Sequence, residues 1–301
     1  MTCGRPTPSR AERHRSPWPT IGAGNLVSGI YMSYFSLAQR VTETSAVDPK
    51  ILAWLYGLIV RVPLVRAVYR QLLDGILQQD IAKGDVLDLG TGPGYVAIQL
   101  GRQRPGLRIV GLDLAAHMVQ QAKRNAAKAG LDGRGLWPHA DAQRLPFADN
   151  SFELVISSFA LHHWSEPLKI LNEIARVLQP GGHYFLADLC RQPNLAQRLF
   201  AYASIPAISL PFGSYLGYGG YYESVRAGHT LAEAENLLAR SSLPPGLVSP
   251  RSTWFVPILT IRSQNPSEKA QGNGSSHPDA TEAATTNQGS SQAQTASRGR
   301  A

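Results

Sequence analysis

From Gly84 to Leu189 short apolar runs alternate with amphipathic ones, and this rhythm restricts the fold more than any single residue does. "DVLDLG" reads as a strand, residues 95–102 as a helix, "RIVGLD" as a strand and "HMVQQAKRNAAKAG" as a helix closed at Gly130. A weaker strand near "RGLWPHA" follows, then the strand "FELVISS", the helix "PLKILNEIARVL" and the strand "HYFLADL". Strands that are apolar throughout are buried on both faces, and helices between them supply the crossovers that parallel pairing needs. The expected fold class is α/β, with a doubly wound, mostly parallel sheet. Beyond it, "TLAEAENLLARSS" reads as a helix and "STWFVPILTIR" as a final edge strand.

With 301 residues, 43% of them hydrophobic, the chain can bury one sizeable core flanked by peripheral segments. Residues 1–20 read as a disordered basic tail and residues 264–301 as a disordered low-complexity tail. Residues 21–83 read as an N-terminal helical cap, and residues 84–263 as the main domain. Within the cap, "ILAWLYGLIVRVPLVRAVYRQLLDGILQQDI" has helical spacing broken by Pro63, which predicts two helices or one kinked helix. Its apolar start, residues 51–60, falls far short of the roughly twenty residues that span a bilayer. The net charge is +8, but Arg5, Arg10, Arg13 and Arg15 crowd the first tail. No basic stripe interleaved with aromatics follows, so no nucleic-acid partner is expected; transient contact with an anionic membrane surface is compatible with the charge. Cys3 and Cys190 are the only cysteines, which argues against a disulfide framework or a cysteine metal site, and no metal is expected. Pro17, Trp18 and Pro19 interrupt any secretory apolar core, and the expected compartment is the cytoplasm.

The first strand runs into Gly90, Gly92 and Gly94. A glycine turn that opens a helix sets backbone amides beside a ligand at the carboxyl edge of a sheet. The dinucleotide fingerprint needs a third glycine where Tyr95 stands, and no Gly-Lys-Ser/Thr follows for a phosphate loop. Asp88 would repel a pyrophosphate and suits a cation. Asp113 ends the second strand, where a carboxylate can accept both hydroxyl protons of a ribose. Asp141 follows the third strand, placed to accept from an adenine amine. A ribose, an adenine and a cationic amino-acid end without phosphate describe S-adenosylmethionine.

"VLDLGTGPG", "VGLDLAAHMVQQAK", "HADAQRLPFADNSFELVISSFALHHW" and "ILNEIARVLQPGGHYFLADL" resemble the successive motifs of class I S-adenosylmethionine-dependent methyltransferases, in particular the ubiquinone/menaquinone-biosynthesis-like, small-molecule branch. The resemblance covers about residues 84–190. It implies a seven-stranded Rossmann-like sheet, with Gly90, Thr91, Gly92 and Gly94 at the methionyl part and Asp88 near its ammonium. It further implies Asp113 on the ribose, Leu114 and Met118 flanking the adenine, Asp141 and Ala142 on the adenine edge, and Ser158 beside the sulfonium. "LQPGGHYFL" would be the turn into the fifth strand.

Methyl transfer from a sulfonium does not demand a catalytic base, so the catalytic residues stay open; His162 is the candidate, with Asp188 and Glu166 behind it. Cys190 has no evident activating partner and reads as inert. On the acceptor side an insert at about residues 191–228 holds "LFAYASIPAISLPFGSYLGYGGYY", uncharged and broken by Pro206 and Pro211. Together with the N-terminal helices it reads as a helical lid over a small hydrophobic or aromatic acceptor, such as a quinone precursor, polyketide, lipid or phenol. Two rival readings are an NAD(P)-dependent oxidoreductase and a non-catalytic regulatory protein that binds S-adenosylmethionine.

Overall fold

The computed structural model describes residues 62–79, 81–131, 133–200, 203, 220–251, 253 and 255–264. Residues 1–20 and 265–301 of the two tails lie outside them, as do residues 21–61 of the cap and residues 201, 202 and 204–219 of the uncharged insert. The described chain enters on α1 (Pro63–Leu77), with Pro63 in its first turn, where a missing N–H costs nothing. Pro63 therefore starts a helix instead of kinking one. Val68, Tyr69, Leu72, Leu73 and Ile76 form its buried stripe.

Seven strands form one sheet in the order β3-β2-β1-β4-β5-β7-β6. At its centre β1 (Lys83–Leu89) pairs in parallel with β2 (Gly106–Leu112) and with β4 (Phe152–Ser158). The two-residue β3 (Gly135–Leu136) extends the sheet past β2, and β5 (Leu178–Leu189) extends it past β4. The order reverses between β1 and β4, which makes the carboxyl ends of these strands the switch point of a doubly wound sheet.

Val86 and Leu87 are both fully buried yet belong to opposite apolar clusters, as the period of a strand requires. One cluster packs α1, α2 (Tyr95–Gln103) and α3 (Ala116–Lys128) on the sheet. The other packs α4 (Pro167–Val177) and α6 (Leu231–Arg240), the latter preceded by α5 (Gly220–Ala227). The expected stop at Gly130 is a left-handed residue with φ 72°, and Leu131 N–H donates back to Ala126 O at 3.0 Å.

The last strand is not at the edge that the sequence suggests. β7 (Ile258–Ser263) inserts antiparallel between β5 and β6 (Gly246–Pro250), and β6 takes the edge. Ile258, Leu259 and Ile261 are buried, the pattern of an interior strand. "GLVSP" is half-exposed, begins with glycine and ends with proline, so its strand character comes from pairing with β7. The expected turn "LQPGG" is likewise drawn into β5: Leu178 already pairs with Phe152, and the register slips before Leu154 meets His183.

Candidate functional site

The glycine loop leaves β1 with Gly90, Gly92 and Gly94 all left-handed, at φ 66°, 53° and 82°. Their surroundings differ. A Cβ on Gly90 would lie 2.5 Å from the Cβ of Ala160, whereas one on Gly92 would meet nothing within 4 Å. Gly94 caps α2 without a side-chain bond, against Ile98, Trp137 and Ala122. The loop thus touches the β4 exit at Gly90 and opens onto free space at Gly92.

Asp88 is 2% exposed and accepts the Thr91 hydroxyl at 2.7 Å. Burial pushes its carboxyl up to about 7, with the nearby Asp113 charge adding to the rise and the Thr91 hydroxyl opposing it. Asp113 ends β2 as expected, but it already grips main chain. One carboxylate oxygen accepts Gly92 N–H and the other Ala115 N–H, both at 2.8 Å. A carboxylate has about four acceptor positions, so two stay available to a ligand. Asp141 caps its own turn through Gln143 N–H at 2.8 Å and is exposed. Leu114, 67% exposed, presents an apolar side chain at the end of β2; Met118 and Ala142 are half-buried.

Across the switch point, β4 ends at Ser158, whose hydroxyl oxygen is buried without a hydrogen-bond partner. The chain then turns through left-handed Phe159 into the short 3-10 turn Leu161–His163. His162 is 4% exposed, and its Nδ1 lies 2.5 Å from the carboxylate of Asp188, which is 1% exposed near the end of β5. The same carboxylate accepts the His162 backbone N–H at 2.5 Å and Leu189 N–H at 2.7 Å. Next to this pair, burial pushes the Cys190 thiol up, which leaves it unreactive. The buried Arg191 guanidinium donates to Gly228 O at 3.1 Å and pairs with Glu233, tying the β5 exit to the start of α6.

Two of these features go beyond the sequence reading. Asp188 had no partner in sequence; the fold sets the end of β5 beside the turn that follows β4, where His162 sits. The Trp137 indole fills the space over Gly111 and Gly94, which explains why "VGLD" carries a glycine. A cleft of about 550 Å³ lined by Lys123, Leu136, Trp137 and Phe147 contains none of the expected ligand-binding residues.

The residues at the switch point fit S-adenosylmethionine. Gly92 leaves room beside the loop, Leu114 offers an apolar face, Ser158 has an unsatisfied buried hydroxyl, and Asp88, Asp113 and Asp141 supply the acceptors. Residues 87–186 match a family model described as a methyltransferase domain, and the strand order of the sheet agrees with that match.

Among named relatives, the ubiquinone/menaquinone biosynthesis C-methyltransferase UbiE of Desulfotalea psychrophila is 38% identical over 109 residues, 36% of this chain and 43% of that protein. The demethylmenaquinone methyltransferase of Thermus thermophilus is 35% identical over 147 residues, 47% of this chain and 66% of that protein. The matched part of the chain thus spans less than two thirds of the length of these curated relatives. A crystal structure from Methanococcus maripaludis, assigned as an S-adenosyl-L-methionine-dependent methyltransferase, superposes with a TM-score of 0.53 at 21% identity. The match covers 76% of this chain and 98% of that one, and it shows a shared fold.

Proposed function

We propose that this protein transfers a methyl group from S-adenosylmethionine to a small apolar or aromatic acceptor. The observation that carries the reading is the loop at the switch point, where Asp113 braces Gly92 beside open space. When bound, S-adenosylmethionine supplies an electrophilic methyl: the acceptor's bond to carbon forms as the sulfur–carbon bond breaks, and that electron pair stays on sulfur. The protein's part is to hold and orient, and in-line placement alone supplies several kcal/mol, up to about 7–11. Asp88 and the loop from Gly90 to Gly92 would hold the methionyl end, Asp113 the ribose, and Leu114, Met118, Asp141 and Ala142 the adenine. Ser158 faces the transfer point from β4 in this reading.

An apolar acceptor is supported by Leu195 and Leu199, 72% and 59% exposed at the entrance to the uncharged insert. The names of the relatives point the same way, since UbiE and the demethylmenaquinone enzyme act in quinone biosynthesis. We place the protein in the cytoplasm on its sparse cysteines; among the described residues no helix is long and apolar enough to cross a membrane.

Calorimetry with S-adenosylmethionine, S-adenosylhomocysteine and NADH tests the reading. Binding of the first two is expected, and binding of NADH alone would overturn it in favour of an oxidoreductase. Binding without turnover across phenolic, quinone and lipid acceptors would leave a regulatory protein.

A further inference from the structure

The strand β3 is only two residues long, and it borders the cleft of about 550 Å³ that shares no residue with the expected cofactor site. We infer that this cleft is a second binding site, for a small aromatic carboxylic acid in its ionised form. The inference does not depend on the methyltransferase reading above, and the site is separate from the places assigned there to methyl donor and acceptor.

Three observations carry it. First, the cleft holds a fixed hydrogen-bond donor with nothing to bond. Trp137 is 8% exposed, and a buried indole N–H ordinarily finds an acceptor, yet this one has none among the described residues. One edge of the ring is locked in place: its Cζ3 lies 2.4 Å from where a Cβ on Gly111 would stand and 3.1 Å from one on Gly94, so the ring fills the space of both side chains. The edge that carries Nε1 faces Gly135 instead, a residue of the cleft wall, where a Cβ would stand 3.0 Å from Nε1. Glycine at that position leaves the donor uncovered.

Second, the charge in the wall is of one sign. Among the lining residues Lys123, on α3, alone is charged; it is exposed and forms no ion pair among the described residues. An indole N–H and an ammonium both only donate, so the group that satisfies them accepts, and an anion does so with the larger gain.

Third, the rest of the wall is apolar and comes from both faces of the sheet. Leu131 and Trp137 belong to the cluster that packs α2 and α3, Phe147 packs on the opposite cluster, and Leu136 on the edge strand itself is 68% exposed. The volume is that of a small-ligand site, and a Cβ on Gly133 would meet nothing within 4 Å. A flat ring system suits a wall with two aromatic side chains, and one carboxylate on it answers the indole N–H and the ammonium together.

The probe is naphthoate, with naphthamide as its uncharged counterpart, and the whole protein is isotopically labelled at the tryptophan indole nitrogens. Five tryptophans give five indole N–H signals in a nuclear magnetic resonance spectrum, and W137F identifies that of Trp137. Naphthoate should move this signal downfield in a saturable, one-to-one titration, with or without saturating S-adenosylhomocysteine. K123Q should weaken naphthoate about fivefold, whereas the weaker binding of naphthamide should not respond to it. G135A, whose methyl group covers Nε1, should abolish the shift.

A Trp137 signal that does not move, equal naphthoate affinity in K123Q and wild type, or a shift that survives in G135A would overturn the inference. So would displacement of naphthoate by S-adenosylhomocysteine, which would put the acid at the switch point, or movement of other indole signals alone. A Trp137 signal that shifts with protein concentration before any naphthoate is added would mean that a second copy covers the edge of β3, and the small acid falls. If G135A does not fold, the exposed Lys123 keeps the test: K123E should weaken naphthoate further than K123Q, and equal affinities in the two would overturn the charge pairing.

Discussion

The two sides of the switch point use carboxylates differently. At the ends of β1 and β2 they grip the glycine loop: Asp88 accepts the Thr91 hydroxyl, and Asp113 the backbone N–H groups of Gly92 and Ala115. At the ends of β4 and β5 a carboxylate grips a ring, Asp188 on His162. The first two carboxylates brace a loop, whereas Asp188 holds a ring together with the backbone N–H groups of His162 and Leu189. Main chain is enough to cradle a ligand used by many enzymes, because amides and glycine clearances do not depend on the reaction performed.

The largest way to break this contrast is at its seam. Gly90→Ala puts a methyl group 2.5 Å from the Ala160 Cβ at a left-handed φ, so the cofactor loop and the β4 exit cannot both stay in place. Left-handed strain and overpacking together predict a loss of roughly 4 kcal/mol. Thermal or denaturant unfolding should show it, and a loss below about 1 kcal/mol would mean that the two sides are not pressed together.

The next test belongs to the β1 side alone. Because burial raises the Asp88 carboxyl from 3.8 to about 7, the folded protein keeps a proton there that the unfolded chain gives up. Stability from this group is therefore present at low pH, declines as pH rises from about 4 to about 7, and is level above that. The span amounts to roughly 4 kcal/mol. Asp88→Asn should remove that slope, so the variant should gain on the wild type when denaturant melts at about pH 5 and about pH 8 are compared. A difference between the two proteins that does not change with pH would refute the raised carboxyl.

Asp113→Ala comes third. It leaves Gly92 and Ala115 N–H without their acceptors and removes the expected ribose contact, so S-adenosylhomocysteine affinity should fall about 10²-fold by calorimetry. Asp113→Asn keeps one acceptor oxygen and should lose less. Unchanged affinity in the alanine variant would confine Asp113 to bracing.

The contrast also explains what the sequence could reveal. The β1–β2 side is legible because its signals are local: a strand, glycines that break it, and a carboxylate ending the next strand. Even there the sequence misses that Asp113 and Asp141 cap their own turns before serving any ligand. On the other side His162 and Asp188 are 26 residues apart and meet only once β4 and β5 pair. The edge strand fails for a related reason. "GLVSP" has no pattern of its own, and β7, although last among the described strands, folds back inside it. Non-local pairing leaves no mark on a short segment.

The smallest effect separates conformation from space within a single loop. Gly92 shares the left-handed backbone of Gly90, at φ 53°, but a Cβ there would meet no protein atom within 4 Å. Gly92→Ala should therefore cost only the conformational strain, about 1 kcal/mol of stability, far less than the change at Gly90. If the open space beside Gly92 is where the methionyl end lies, the same methyl group should weaken S-adenosylhomocysteine by a factor well beyond that stability loss. Melts and calorimetry on one variant decide the point. A small stability loss with intact affinity would move the ligand away from Gly92, while a large one would mean that the space is not open. Only small strain with large affinity loss agrees with a loop whose second glycine is kept clear for the ligand and whose first is kept clear for the protein.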